Sequence, residues 1–419
     1  MKKIYYFLLF LLLVSCSDNP PTKSKAESEP SSVGWEPAGF VPDAATLYTR
    51  GSGLQKVAHS GEWVLLEDAW TSPVEGKPGY LTYSPRLFIS KLNSKKWDTL
   101  TVPSKGYVLS IFADSTGFYI GTYTTGQVLK YLPNEKKWEE VYVVDSTDNI
   151  EYDVYGIGKY DGRLIVSLAG FTDSLRENIK SIQKMQNGDS WTDLETPPMR
   201  MYYGGQSDST AIPLHFHKGV EWNGQYYVAT QNGVWILNSE AKSWTQMPLP
   251  PFAKWEEANK ATFSPIQEIV IHKNNLVVIP SGSDVIYQWN SQSNLWNSID
   301  SLYLKYYDED GDYIVRTNTP SDKKALLSDG KHLFVAGSRS PPPMVYMGDY
   351  GEPYGNIKKG WRSILKGWCG KYKCVSTDAT YSLDVIDGYL YAAAYEGLFR
   401  FPLSELDNVI ANEEDFFGM

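Results

Sequence analysis

A two-residue turn signal followed by an apolar strand recurs along this chain, and a repeat at that scale limits the possible folds more than any other feature. The signal reads Ser60-Gly61, Thr116-Gly117, Asp161-Gly162, Asn223-Gly224, Asn274-Asn275, Asp329-Gly330 and Asp387-Gly388, at spacings of 45 to 62 residues. Such pairs tolerate the positive φ that a tight hairpin demands. An apolar run follows each, as in residues 63–66, 164–168, 226–229 and 389–393. A tryptophan opens the last strand of six units, at Trp97, Trp138, Trp191, Trp244, Trp296 and Trp361. Residues 220–247 show the plan most fully: four short strands separated by Asn223-Gly224, Asn232-Gly233 and the polar run 238–243. Seven units of four strands over residues 34–410 predict an all-β, seven-bladed β-propeller. The seventh unit lacks its tryptophan, and Gly34-Trp35-Glu36 supplies one from the other end of the chain. That segment is expected to close the ring as the outer strand of the last blade, which would remove two exposed sheet edges.

Residues 1–15 read as a targeting segment. Lys2-Lys3 precede an apolar run over residues 4–14, too short to span a bilayer comfortably. The ending Leu13-Val14-Ser15-Cys16 resembles the lipobox of bacterial lipoproteins, and the resemblance implies that Cys16 carries diacylglycerol after cleavage. Ser17, in place of an aspartate that marks inner-membrane retention in one bacterial group, favours the outer membrane. Residues 16–33 are rich in Pro, Ser, Lys and Glu and read as a disordered tether. Residues 411–419 form an acidic C-terminal tail. No second apolar run of membrane-spanning length occurs, so the membrane is expected as a partner through the lipid alone.

Composition bears on partners. A net charge of −10 argues against nucleic acid, which wants a basic face. The 14% aromatic share suits strands and also supplies rings that stack on sugars or anchor proteins. Cys369 and Cys374 are close enough in sequence to form a disulfide loop in an oxidising compartment, with a metal pair as the alternative reading.

Strand order in a propeller puts the between-blade segments and the second-to-third turns on one face. The long segments 197–216, 248–265, 298–323 and 366–380, with insertions at 68–86 and 170–178, gather there as irregular loops. Residues 348–360 are expected on the opposite side. The predicted binding face carries Trp70, Tyr202, Tyr203, His215, His217, Trp255, Tyr307 and Trp368, with Tyr80, Tyr83, Tyr306 and Tyr372 beside them. The same rings would equally serve to pack the loops down.

Asp308, Asp310 and Asp312 alternate around Gly311 like the start of a calcium loop, but Thr319 stands where that pattern needs its twelfth, acidic position. The alternative is a solvated acidic loop, and no other cofactor is implied. His215 and His217 share a strand face, which begins a metal site or places a histidine near the ring channel. His59, His272 and His332 fall at or beside turns and read as structural. The chain has no Gly-x-Ser-x-Gly elbow, no His-Glu-x-x-His and no phosphate-cradling glycine loop.

Residues 285–296 and 128–138 resemble the outer half of a kelch-type blade, although that family's double glycine is absent and Val335-Ala336-Gly337 is the nearest approach. Residues 186–191 are similar to a degenerate Asp-box of sialidase-like propellers. The resemblance implies architecture and transfers no catalytic residue. The expected function is a monomeric, non-enzymatic, lipid-anchored envelope propeller that binds a glycan or an envelope protein. The alternative is a carbohydrate-active propeller enzyme, a glycoside hydrolase or lyase, with acidic residues at the channel mouth.

Overall fold

The computed structural model describes residues 35–40, 53–73, 81–94, 96–145, 150–172, 178–196, 198–201, 210–213, 216–240, 242–250, 266–280, 285–301, 303–307, 313–317, 323–337, 340–346, 361–363, 380–394 and 397–406. All belong to the compact unit that runs from Gly34 to Met419. Within it, strand β1 is Glu36–Pro37. The first sheet follows with β2 (Gly53–Ser60), β3 (Trp63–Pro73), β4 (Leu81–Lys91) and β5 (Asp98–Leu100). The second has β6 (Val108–Asp114), β7 (Gly117–Thr122), β8 (Gln127–Leu132) and β9 (Lys137–Val143). The third has β10 (Ile150–Tyr160), β11 (Arg163–Thr172), β12 (Asn178–Asn187) and β13 (Ser190–Leu194). A hairpin, β14 (Pro198–Met201) with β15 (Thr210–Pro213), leads to the fourth sheet. That sheet has β16 (Phe216–Trp222), β17 (Gln225–Thr230), β18 (Gly233–Asn238) and β19 (Ser243–Gln246). The fifth has β20 (Ile266–His272), β21 (Asn275–Pro280), β22 (Val285–Asn290) and β23 (Leu295–Ser301). A second hairpin, β24 (Tyr303–Tyr307) with β25 (Tyr313–Thr317), precedes the sixth. The sixth has β26 (Lys323–Ser328), β27 (Leu333–Gly337), β28 (Ser340–Tyr346) and β29 (Trp361–Ser363). Last come β30 (Thr380–Ile386), β31 (Tyr389–Ala394) and β32 (Gly397–Pro402).

These are the four-stranded antiparallel blades of an all-β propeller. The sequence predicts seven units of one plan, and six sheets follow it with four consecutive strands each. The remaining sheet is composite, in the order β1-β32-β31-β30, with Glu36 opposite Arg400 and Pro37 opposite Phe399. Glu36 accepts from Arg400 Nε at 2.7 Å, and Trp35 packs its ring 5.5 Å from Phe401.

The turns explain themselves chemically. Asp161-Gly162, Asn223-Gly224 and Asp387-Gly388 hold positive φ at both positions, the mirror-image turn that matches strand twist. In the fifth sheet the pair is Lys273-Asn274, one residue earlier than the sequence predicts, because Asn275 opens the next strand opposite His272. The core lies between sheets. One apolar cluster joins Phe40, Val57, Val64 and Leu66 of the chain's beginning to Ile386, Tyr391, Ala393 and Leu398 of its end. Tyr226, fully buried, is wedged between the third and fourth sheets, where a Cβ on Gly158 or Gly219 would lie 1.9 or 2.1 Å from its hydroxyl.

Three expectations about loops need correction. The insertion read as irregular over 68–86 continues the β3–β4 ladder as far as Pro73 opposite Leu81. Its β-branched and aromatic residues, Thr71, Thr82 and Tyr83, suit a pleated pair. Trp70 therefore lies in a strand, opposite Ser84. Segments 197–216 and 298–323 each contain a hairpin of their own. Tyr306 and Tyr307 pair with Ile314 and Tyr313 within the second.

Candidate functional site

The first strand of each sheet touches the first strand of the next, through β2, β6, β10, β16, β20, β26 and β30, and β30 touches β2. These strands share a feature that no motif announces. In every one, the register against its neighbour slips by one residue near its start: at Gln55, Leu109, Tyr155, His217, Gln267, Lys324 and Tyr381. A bulge re-aims a side chain and sharpens twist, and bulges gather at the rims of closed sheets. The residue before the slip is buried at Val108, Val154, Phe216, Ile266 and Thr380, while Leu109, Tyr155, Gln267 and Tyr381 are partly open and His217 is exposed.

The antiparallel order fixes which end of each sheet this is. The start of the first strand, the second-to-third turn and the segment joining one sheet to the next all fall together. The bulges therefore share an end with the extended β3–β4 ladder and with the hairpins β14–β15 and β24–β25. The opposite end carries the short turns.

His217 and Tyr155 meet at the bulge end, with ring centroids 6.2 Å apart in an edge-to-face arrangement. Phe171 lies on the other side of Tyr155, at 6.5 Å. His217 is exposed to solvent. Desolvation, and secondarily the charge on Lys56, push its imidazole down to about 4, so the ring is neutral at pH 7. Desolvation likewise lifts the Tyr155 phenol to about 12, with the charge of Asp153 adding to the effect. Asp153 is fully buried and accepts from the Thr124 N–H at 2.8 Å. Burial raises its carboxyl to about 6, against that hydrogen bond.

The positions just after the bulges carry two ion pairs. Lys56 Nζ lies 3.6 Å from Glu67 Oε2, and Lys218 Nζ lies 2.6 Å from Glu268 Oε2. In both pairs the ammonium is the more exposed partner, 38% against 3% and 41% against 20%. Glu67 and Asp68 distinguish the first sheet from the others. The residues in register with them are Gly121-Thr122, Ser167-Leu168, Ala229-Thr230, Ile279-Pro280, Ala336-Gly337 and Ala393-Ala394. Six sheets thus bury small or apolar residues where the first buries two acids, Glu67 against Lys56 and Asp68 against Arg86.

Of the residues nominated from sequence, His217 is at this site. Tyr202, Tyr203, His215, Trp255 and Trp368 lie outside the described residues, as do Cys16, Cys369, Cys374 and the carboxylates Asp308, Asp310 and Asp312. The last three fall in sequence between the paired Tyr307 and Tyr313. No metal-binding cluster of His, Cys, Asp or Glu occurs among the described residues. No helix among them is long and apolar enough to cross a membrane. His59, His272 and His332 bond to Asp384, Ser328 and Asp329 near the turns. Sequence reasoning missed Lys56, Glu67, Asp153 and Tyr155. The one available signal was the pair of acids Glu67-Asp68 continuing an apolar strand.

Comparison with known proteins returns the fold. No protein-family model matches the chain, and no curated protein matches it. Among solved structures, the chain is similar to the extracellular domain of a candidate one-component system from B. thetaiotaomicron, at TM-score 0.52 and 11% identity over 88% of this chain. The chain spans 40% of that domain's length. A structure of the mitotic checkpoint complex matches at TM-score 0.45 and 12% identity, covering 94% of this chain and 99% of the other. A B. thetaiotaomicron protein of unknown function matches at TM-score 0.39 and 7% identity, covering 84% and 98%. At 11% identity the first of these similarities concerns the fold alone.

Proposed function

We propose that this chain is a lipid-anchored envelope protein of the bacterial outer membrane whose seven-bladed ring, completed by β1, binds a glycan or an envelope protein at its bulge end. The observation that carries this reading is that the bulges, present in all seven first strands, share an end with the extensions and hairpins that the first, fourth and sixth sheets add. The bulged inner strands converge there, and the strand extensions and extra hairpins leave the ring there. Rigid scaffolds with variable additions at one end are where binding sites collect. Ring completion is supported by the β1–β32 pairing and by the apolar cluster common to the first and last sheets. Lipid attachment is supported by the residues around Cys16.

The catalytic alternative draws on one observation, the elevated Asp153 carboxyl, which falls in the range of a general acid. Its full burial and its bond to the Thr124 N–H favour a structural part for it instead. The neutral rings of Tyr155 and His217 suit hydroxyl groups better than bond cleavage.

Affinity electrophoresis of the chain in detergent, through gels holding single envelope or plant polysaccharides, tests the reading, with reducing ends assayed in the same mixtures. Retardation without new ends is expected for a glycan binder. New ends would establish an enzyme. No effect on any polymer would leave an envelope protein as ligand, to be sought by pull-down. Metabolic labelling with palmitate should mark the wild-type chain and leave Cys16→Ala unmarked.

A further inference from the structure

Resting on the glycan reading, we infer that the bulge end of the channel receives the carboxylate-bearing end of an acidic polysaccharide, with Lys56 pairing the carboxylate and Tyr155 and His217 meeting sugar hydroxyls. The inference comes from which members of the ion pairs face outward. An ammonium has three donors. One of Lys56's goes to the Leu109 carbonyl at 2.9 Å and one lies toward Glu67 at 3.6 Å, so a third is available to a ligand. Glu67 sits behind it, 2% exposed, and Lys218 stands in front of Glu268 in the same manner. An approaching molecule therefore meets cations first, on a chain whose net charge is −10. Two outward ammoniums on an acidic protein give an anion a local point of attraction.

The rest of the wall selects the kind of anion. Lys56 belongs to the first sheet and His217 to the fourth, one directly after its strand's bulge and the other within it, so both stand at the bulge end. His217 and Tyr155 meet edge to face and offer donors and acceptors without charge. Hydroxyls of a sugar pair with such groups, whereas a phosphate or a strongly acidic peptide would want more cations. Glu67 is held in reserve by burial. It fixes the Lys56 stem while leaving the ammonium at the surface.

The test compares polygalacturonate, alginate and hyaluronate with their carboxyl-reduced counterparts, in affinity gels and by calorimetry on the chain in detergent. At least one acid polymer should bind about tenfold or more tightly than its reduced form, the loss expected when one charge-assisted contact is removed. The double variant Lys56→Met/Glu67→Gln, which removes the pair without stranding a buried charge, should bind both forms equally. Circular dichroism checks its fold. Should it fail to fold, Tyr155→Phe with His217→Gln serves instead, and should weaken binding of acid and reduced forms alike. Equal binding of acid and reduced polymers by the wild-type chain would overturn the inference and spare the glycan reading. So would retardation by neutral polysaccharides only. Failure to bind any polysaccharide, with an envelope protein captured in its place, would overturn both.

Discussion

The two ends of the sheets obey different rules. At the turn end the loops are short, and neighbouring sheets are stitched by side chains set beside the turns. Trp63 donates to Asn134, Lys159 to Asp114, Tyr160 to the Gly224 carbonyl and Trp222 to the Asn274 carbonyl, while His59 and Asp384 lie 2.7 Å apart. At the bulge end each sheet departs in its own way, with a long ladder in the first, a clamp of Thr124 onto Asp153 between the second and third, and hairpins before the fourth and sixth. The contrast teaches that stability and recognition are separated along the strands. The turn end repeats because it holds the ring, and the bulge end varies because it is spared that duty.

Five variants break or sharpen that contrast. Trp244→Ala, beside a turn and 9% exposed, should cost about 3–5 kcal/mol as a large buried aromatic. Denaturant unfolding measures this, and ligand affinity of the folded fraction should be unchanged. A shift in affinity would mean that the two ends are coupled.

Asp153→Asn probes the bulge end by pH. The folded carboxyl titrates at about 6, above its ordinary range, so the fold favours the protonated form. Its contribution is fully present below about pH 3.9 and is lost as pH rises through 6. The asparagine variant should lose that slope and exceed the wild type by about 2 kcal/mol at pH 7. His217 acts in the opposite sense. Its depressed value means stability present above about pH 6.5 and lost as pH falls through 4, and His217→Gln should flatten that limb. Unfolding curves across pH 3–8 that match for wild type and Asp153→Asn would contradict the assignment.

Tyr226→Phe should stabilise the chain by about 1 kcal/mol, because the buried hydroxyl has no hydrogen-bond partner among the described residues. Calorimetry decides, and a loss would reveal a partner for that hydroxyl. The smallest effect belongs to His59→Gln. The Asp384 hydrogen bond raises the His59 pKa, so its contribution is present below about pH 6.5 and fades above the raised value. The histidine side chain is 39% exposed, so the loss should be a few tenths of a kcal/mol at pH 5.

The turn end was legible in the sequence because its chemistry is local. Asp161-Gly162 or Asn223-Gly224 must adopt positive φ wherever they occur between apolar runs. The bulge end was not legible, for three reasons that particular residues show. Tyr155 and His217 bulge in first strands that touch the first strands of neighbouring sheets, contacts that no window of sequence contains. The hairpin β24–β25 hides behind Asp308–Asp312, whose carboxylates and glycine read equally as a cation loop or a turn. Glu67 extends an apolar strand as an acid, and its meaning depends on Lys56 being opposite it in register. The missing tryptophan of the last unit pointed to the segment around Trp35 by counting alone, and Glu36 and Pro37 pair with Arg400 and Phe399.

The composite sheet also sets a timetable. Glu36 and Arg400 are separated by 364 positions, so the N-terminal partner is made first and must wait for nearly the whole chain. Six sheets can assemble in the order in which their strands emerge, each from neighbours in sequence. The last cannot. Once the others stand, however, completing that sheet becomes the capture of a two-residue strand by its neighbour at high effective concentration. A strand so short has little stability of its own. It is expected to dock last and to leave first, so any pull on the N-terminus would be felt at Glu36 and Arg400 before it reached the rest of the ring.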